Sequence, residues 1–356
     1  MTAEIRWTQI LARIPLALAL LAATPAPAVA HVKWFSRFSF GDRPRTAAEV
    51  VTPTFIALAL LSMATIATLV LLDRRLAELP THRRVNEWLT ARSDRSVLVM
   101  RIGIGAALLL SWQADAMLAP ELRVGAAWIG WWQFALTSLL LFDRTVPVAG
   151  AGVMLLYAVG VARFGVFHML DYVMYAGIGY YLATSAARGE RVRGSGLPAL
   201  YVAVGFSLCW VALEKMVYPQ WGLYVLQQNP ALALGLDLRF FLLAAAFVEF
   251  SLGYLLIINL LQRPFALVIT LTFFTTTLVF GKLEVIGHTP IHAALVVFLL
   301  EGPGRVFKPP IALHRGMGLR TAFAAVNFAI LLAILLVPYS HGARRLYRES
   351  AAHAGR

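Results

Sequence analysis

The sequence predicts an all-α polytopic membrane protein with about ten transmembrane helices, and three observations lead to it. Of the 356 residues, 60% are hydrophobic and only 14% are charged, which is too apolar for a soluble domain. Long apolar runs recur along the whole chain, many of them near the length of a bilayer span. The basic residues behind the net charge of +13 fall mostly in short segments between those runs. There they set orientation and meet anionic headgroups, so the expected partner is the lipid bilayer and not nucleic acid.

Residues 1–30 read as a cleaved signal peptide. Arg6 and Arg13 supply a positive n-region, "IPLALALLAA" a short apolar core, and Ala28 and Ala30 an A-x-A cleavage pattern. Cleavage after Ala30 makes His31 the first residue of the mature chain, outside a bacterial-type inner (plasma) membrane. A free N-terminal histidine offers its α-amine and imidazole together, a bidentate nitrogen pair suited to copper. Equally, His31 can be simply the residue that the peptidase leaves. The basic, aromatic stretch "VKWFSRFSF" that follows is expected to lie on the outer membrane face.

Segment 31–96 also holds the first span, 52–72, and a loop with Arg74, Arg75, Arg83, Arg84, Arg92 and Arg95 that should be cytoplasmic. Spans at 97–118, 126–142, 146–164 and 172–186 make a first group of four, 97–190. The basic loop "RGERVRG" at 188–194 follows. Spans at 198–217, 238–260, 265–282 and 290–301 make a second group, 198–302. Residues 303–356 are a further basic loop, a last span at 320–337 and a basic tail. Ten spans place that tail outside, against the charge rule.

The two groups share a layout. "RIGIGAALLLSWQADAMLAP" and "YVAVGFSLCWVALEKMVYP" open them, each with an early glycine, late acidic residues and a closing proline. Phe164-Gly165 matches Phe280-Gly281. An even number of crossings per group makes the repeats parallel, so two four-helix bundles in tandem are expected. The second group resembles the DoxX family of four-helix membrane proteins. The likeness lies in "VGFSLCWVALEKMVYP" with Gly205, Lys215 and Pro219, in "FVEFSLGYLLIINLLQRPFAL" with Glu249, Gly253 and Arg263, and in "FGKLEVIGHTPIHAALVVFLLEG" with His288. It covers about 100 residues, and the first group is a degenerate copy. The resemblance implies a four-helix fold and a redox-linked, quinone-interacting role beside a partner subunit that carries electrons.

Glu249 sits about ten residues into an apolar span, where a charge costs about 2.5–3.5 kcal/mol on insertion scales. Lys215 and Lys282 are its candidate partners, and a packing ion pair is the structural alternative. Glu214 and Lys215 join Glu249 as candidate catalytic residues, and Lys282, Glu284 and Trp210 as candidate cofactor contacts. Glu284 and His288, four apart, should share a helix face. Thr289-Pro290 reads as a helix start, which places His288 just before a helix and His292 in its first turn. His31, His288 and His292 could then form a nitrogen site for copper. Trp210, Tyr218 and Trp221 could wall a quinone pocket, or belong to the interfacial aromatic belt. Cys209, the single cysteine, reads as a small core residue. Three functions stay open: a quinone-interacting redox subunit, copper handling at the outer face, and a non-enzymatic scaffold or small-solute carrier. Whether the chain is an enzyme is left open.

Overall fold

The computed structural model describes residues 31–123, 125–314 and 316–354; the expected signal peptide lies outside the described residues. Those residues are helical throughout, joined by turns. The long helices are α1 (Pro53–Glu78), α2 (Pro80–Thr90), α3 (Ser96–Gln113), α4 (Ala127–Leu139), α5 (Val146–Phe164), α6 (Val173–Thr184), α7 (Glu190–Val217), α8 (Pro219–Gln228), α9 (Leu238–Ile258), α10 (Gln262–Phe280), α11 (Lys282–Glu301) and α12 (Met317–Ala354).

Local chemistry sets their ends. Thr52 caps α1 by accepting a hydrogen bond from Phe55 N, and Pro53 fills its first position. Asp237 caps α9 through Arg239 N and Phe240 N. Gly165 and Gly281, both at positive φ, end α5 and α10 and turn the chain into the next helical segment.

Among the described residues, eight helices are long and apolar enough to cross a membrane: α1, α3, α5, α7, α9, α10, α11 and α12. The chain is therefore a multi-pass membrane protein. The other two expected spans, 126–142 and 172–186, correspond to α4 and α6, of 13 and 12 residues. At 1.5 Å per residue these reach about 20 Å, short of a hydrocarbon core of about 30 Å. The irregular segment between α3 and α4 buries Met117, Leu118 and Leu122 within the protein, where backbone outside regular helices is tolerated. The expected basic tail is also helical: α12 runs through Pro338 to Ala354.

Consecutive helices pack into a closed ring. α3 meets α4, α4 meets α5, and so on through α6, α7, α9, α10 and α11, which returns to α3. The first and last helices of the two groups thus face each other, α3 against α11 and α6 against α7. α1 and α12 pair with each other and flank α9 and α7. At one end Arg263 clasps the ring. Its guanidinium donates to the carbonyls of Leu299 and Leu300, to Asn86 and to Thr90. The opposite end holds the starts of α1 and α9, the end of α7 and the segment 31–51.

α7 and α9 approach each other closely. A Cβ on Gly205 would lie 2.5 Å from the Gly253 carbonyl oxygen, and one on Gly253 would lie 2.5 Å from that of Gly205. Small residues let the backbones meet, as in membrane helix pairs generally. Gly205→Val should therefore push the two helices apart and cost about 1–3 kcal/mol, read as a lowered unfolding temperature in detergent. Val202→Ala, at an exposed position of the same helix, should change little.

Candidate functional site

Three irregular segments and three helices bring charged groups together where the two halves of the ring meet. The first is the segment that begins at His31. Val32–Trp34 form a single 3-10 turn, and His31, Val32 and Lys33 are buried. This corrects the expectation that "VKWFSRFSF" lies on the membrane surface. The stretch enters the protein because its charge finds partners there and its rings find apolar walls. Trp34 presses on Gly287 of α11, where an added Cβ would come within 1.9 Å of the indole ring. His31 stacks between Trp34 and Tyr172.

The second segment, the loop 114–126, carries Glu121. Two of its non-glycine residues, Asp115 and Leu118, have positive φ, a strained conformation that tertiary contacts must hold. Gln133, fully buried on α4, holds it by donating to Ala116 O and accepting from Leu118 N. The third segment is the turn after α5, which presents His168, Asp171 and Tyr172. The three helices supply Glu214 and Lys215 of α7, Glu249 of α9 and Glu284 and His288 of α11.

Lys33 is the centre. Its ammonium donates to Asp171 Oδ2 at 2.5 Å and lies 2.8 Å from Glu214 Oε2. The second contact is an ion pair without hydrogen-bond alignment, and neither Glu214 oxygen has a hydrogen-bond partner among the described residues. Adjacent helix residues point about 100° apart, so Lys215 turns away from Lys33 and donates to Glu249 at 2.7 Å. Tyr172 OH donates to Glu121, whose carboxylate also lies 3.3 Å from His168 Nε2. Glu284 pairs with His288.

His31 Nε2 stands 3.9 Å from Asp171 Oδ2, and neither ring nitrogen of His31 has a hydrogen-bond partner among the described residues. One ligand atom each of His31, Glu121 and Asp171 lie within 4.8 Å of one another. A chamber of about 40 Å3 adjoins them, lined among others by His31, Asp171, Glu249 and His288.

The charges do not balance. Five carboxylates (Glu121, Asp171, Glu214, Glu249, Glu284) face two ammoniums (Lys33, Lys215). Their side chains are all at most 13% exposed. Five less two leaves an excess of three negative charges when all are ionised. Burial offsets part of this by shifting protons. It pushes Asp171 up to about 6, although Lys33 pulls the other way. It raises Glu121 as well. Burial lowers the ammonium of Lys33, but Asp171 and Glu214 outweigh it and hold Lys33 charged. Burial, aided by Lys33, drops His168 to about 3 and His31 well below its ordinary value. At neutral pH both imidazoles are therefore neutral, the form that binds metal ions.

Among the residues expected from sequence, the structure joins Glu214, Lys215, Glu249, Glu284, His31 and His288 in this region. It separates the rest. Lys282 is exposed and pairs with no carboxylate among the described residues. Trp210 packs between Phe206, Phe167 and Tyr339. The expected break at Thr289-Pro290 is absent: α11 runs unbroken from Lys282 and holds Pro290 inside. The turn comes at Gly281 instead, since positive φ there needs no Cβ. His292 accordingly lies one turn beyond His288, with its ring stacked on Phe274. It does not join His31. Tyr218 and Trp221 stack on each other, and Trp221 together with Phe38 and Phe40 surrounds the Lys33 ammonium at 5.6–5.9 Å. Cys209 is buried in the core, as expected.

Sequence reasoning missed Lys33, Glu121, Gln133 and Tyr172. A lysine just after an expected cleavage site and a glutamate in a loop look solvated in sequence, and only the fold buries them. Comparison with family models, curated proteins and solved structures returned no match.

Lys33→Met should destabilise the protein by about 3–5 kcal/mol, because it leaves buried carboxylates without their cation. The loss should depend on pH. Asp171 has a raised folded value, so protonating it favours the folded state. The variant should therefore regain stability as pH falls from 7 toward 5, before an unfolded carboxyl takes up protons near 4. Unfolding temperatures across that range would measure it.

Proposed function

We propose that this protein handles a divalent transition-metal ion, copper(II) foremost, at the buried junction of its two helical halves. His31 would supply nitrogen and Glu121 and Asp171 oxygen. The carrying observation is the convergence of those three groups beside a chamber with surplus negative charge. A buried histidine with both ring nitrogens unpartnered loses hydrogen bonds that a ligand would restore. Mixed nitrogen and oxygen donors suit copper or zinc, and affinity generally favours copper. Ligands about 2.0–2.1 Å from the ion stand about 2.8 Å apart when cis in the square-planar geometry of copper(II) and about 3.3 Å apart around tetrahedral zinc, so rotations of the two carboxylates toward His31 would close the site. Cleavage after Ala30 would add the His31 α-amine as a second nitrogen.

The expected set of His31, His288 and His292 is thereby revised, with His31 kept and two carboxylates in place of the other histidines. His288 remains at the chamber wall. The DoxX-like resemblance agrees with a membrane helical bundle and leaves the chemistry to the site. A quinone has less support. The Glu249 carboxylate is already engaged by Lys215. We place the protein in an inner membrane with the site at the outer face, which would expose it to extracytoplasmic metal.

The direct test is metal content after loading the detergent-solubilised protein with copper(II) and dialysing it. Wild type should retain one ion per chain, and His31→Gln should retain less than a tenth of that. A wild type without retained copper or zinc, or an unchanged variant, would sink the proposal.

Binding should also weaken in acid. Asp171 faces Lys33, Glu214, His31 and His168, and its proton must leave before it ligates. Since burial holds it near 6, affinity should fall about tenfold per pH unit below 6 for one displaced proton. Calorimetric titration between pH 5 and 7.5 would read the slope.

A further inference from the structure

A second cavity, of about 240 Å3, opens beside the starts of α1 and α9. Its polar lining includes Arg45, Arg239, Lys215 and Asp237; its apolar lining includes Leu223 and Leu242. Asp237 is occupied as the cap of α9, accepting from Arg239 N at 3.0 Å and Phe240 N at 2.9 Å. Lys215 is paired with Glu249. The guanidiniums of Arg45 and Arg239 form no ion pair among the described residues. The positive dipole ends of α1 and α9 add to the field, since Thr52, Thr54 and Arg239 of their first turns line the same space. One side of the cavity is thus cationic and the other is apolar.

We infer that this cleft binds the anionic headgroup, phosphate or carboxylate, of an amphiphile whose tail follows the apolar wall. Arg45 and Arg239 are its primary contacts, because both have spare donors and a guanidinium grips phosphate or carboxylate through paired hydrogen bonds. The cavity exceeds the space that water alone needs and admits a headgroup. It opens at the ends of helices that cross the membrane, where lipid headgroups gather. Lys215 forms part of the floor, and its partner Glu249 lines the metal chamber. The two cavities are therefore separated by a single ion pair. The inference stands on the cleft itself and does not depend on the metal proposal.

Native mass spectrometry of the full protein tests it, with short-chain phosphatidylglycerol and phosphatidylcholine as probes. Wild type should prefer phosphatidylglycerol. The Arg45→Gln, Arg239→Gln double variant should lose that preference by about thirtyfold, at roughly a factor of five per basic residue. Both arginines are exposed and unpaired, so an unchanged unfolding temperature should accompany the loss. Inorganic phosphate at constant ionic strength identifies the source of the anion. Displacement of the lipid by millimolar phosphate supports a free anionic ligand at these arginines, and retention supports a membrane phospholipid. Equal binding of the two lipids by wild type, or an undiminished preference in the double variant, overturns the inference.

Discussion

The architecture of this protein turns on a lysine buried between two acids. Lys33 belongs to the segment that precedes every membrane helix among the described residues, yet its ammonium lies between Asp171 of one half and Glu214 of the other. A charge at that depth is tolerable only when paired and enclosed. The pairing fixes the N-terminal stretch inside the ring and brings His31 and Trp34 with it. It also joins the turn after α5 to the end of α7, so the two halves meet through a strand that belongs to neither. Aromatic rings complete the enclosure and keep water from the ammonium.

The remaining charges follow from the same constraint. With Lys33 shared by two acids and Lys215 committed to Glu249, Glu121 has a tyrosine hydroxyl and a neutral histidine beside it and, among the described residues, no ion pair with a lysine or arginine. The excess negative charge must be met by protons or by a cation. That choice connects burial to function: protons answer it in acid, and an ion can answer it near neutrality. His31 is held at the same place by its stacking partners rather than by hydrogen bonds, which leaves its nitrogens available.

Backbone irregularity is concentrated at the same junction. The loop between α3 and α4 holds two non-glycine residues, Asp115 and Leu118, at positive φ, and the turn after Gly165 joins α5 to α6 through short helical turns. Strain and broken helices cost stability, and tertiary contacts such as those of Gln133 offset it. In return, side chains that a continuous helix would scatter around its axis converge on one point.

Composition and the pattern of apolar runs determined the class of the chain, a helical membrane protein with basic connecting segments, because a bilayer demands long apolar helices whatever their neighbours. Local chemistry in the sequence also set several details. Glu284 and His288 pair because four residues bring them onto one helix face, and Glu249 required a partner because it sits mid-span. The number of full-length spans was decided by tertiary structure, since α4 and α6 are apolar enough but are cut short by buried loops. So was the path of α11: Pro290 has the signature of a helix start, yet its missing N–H is tolerated inside a packed helix, and His292 turns toward Phe274. Above all, the site depends on Lys33, Glu121 and Asp171, which stand far apart in the chain and look ordinary there. Burial gives them their charge state and their proximity, and burial is a property of the folded whole.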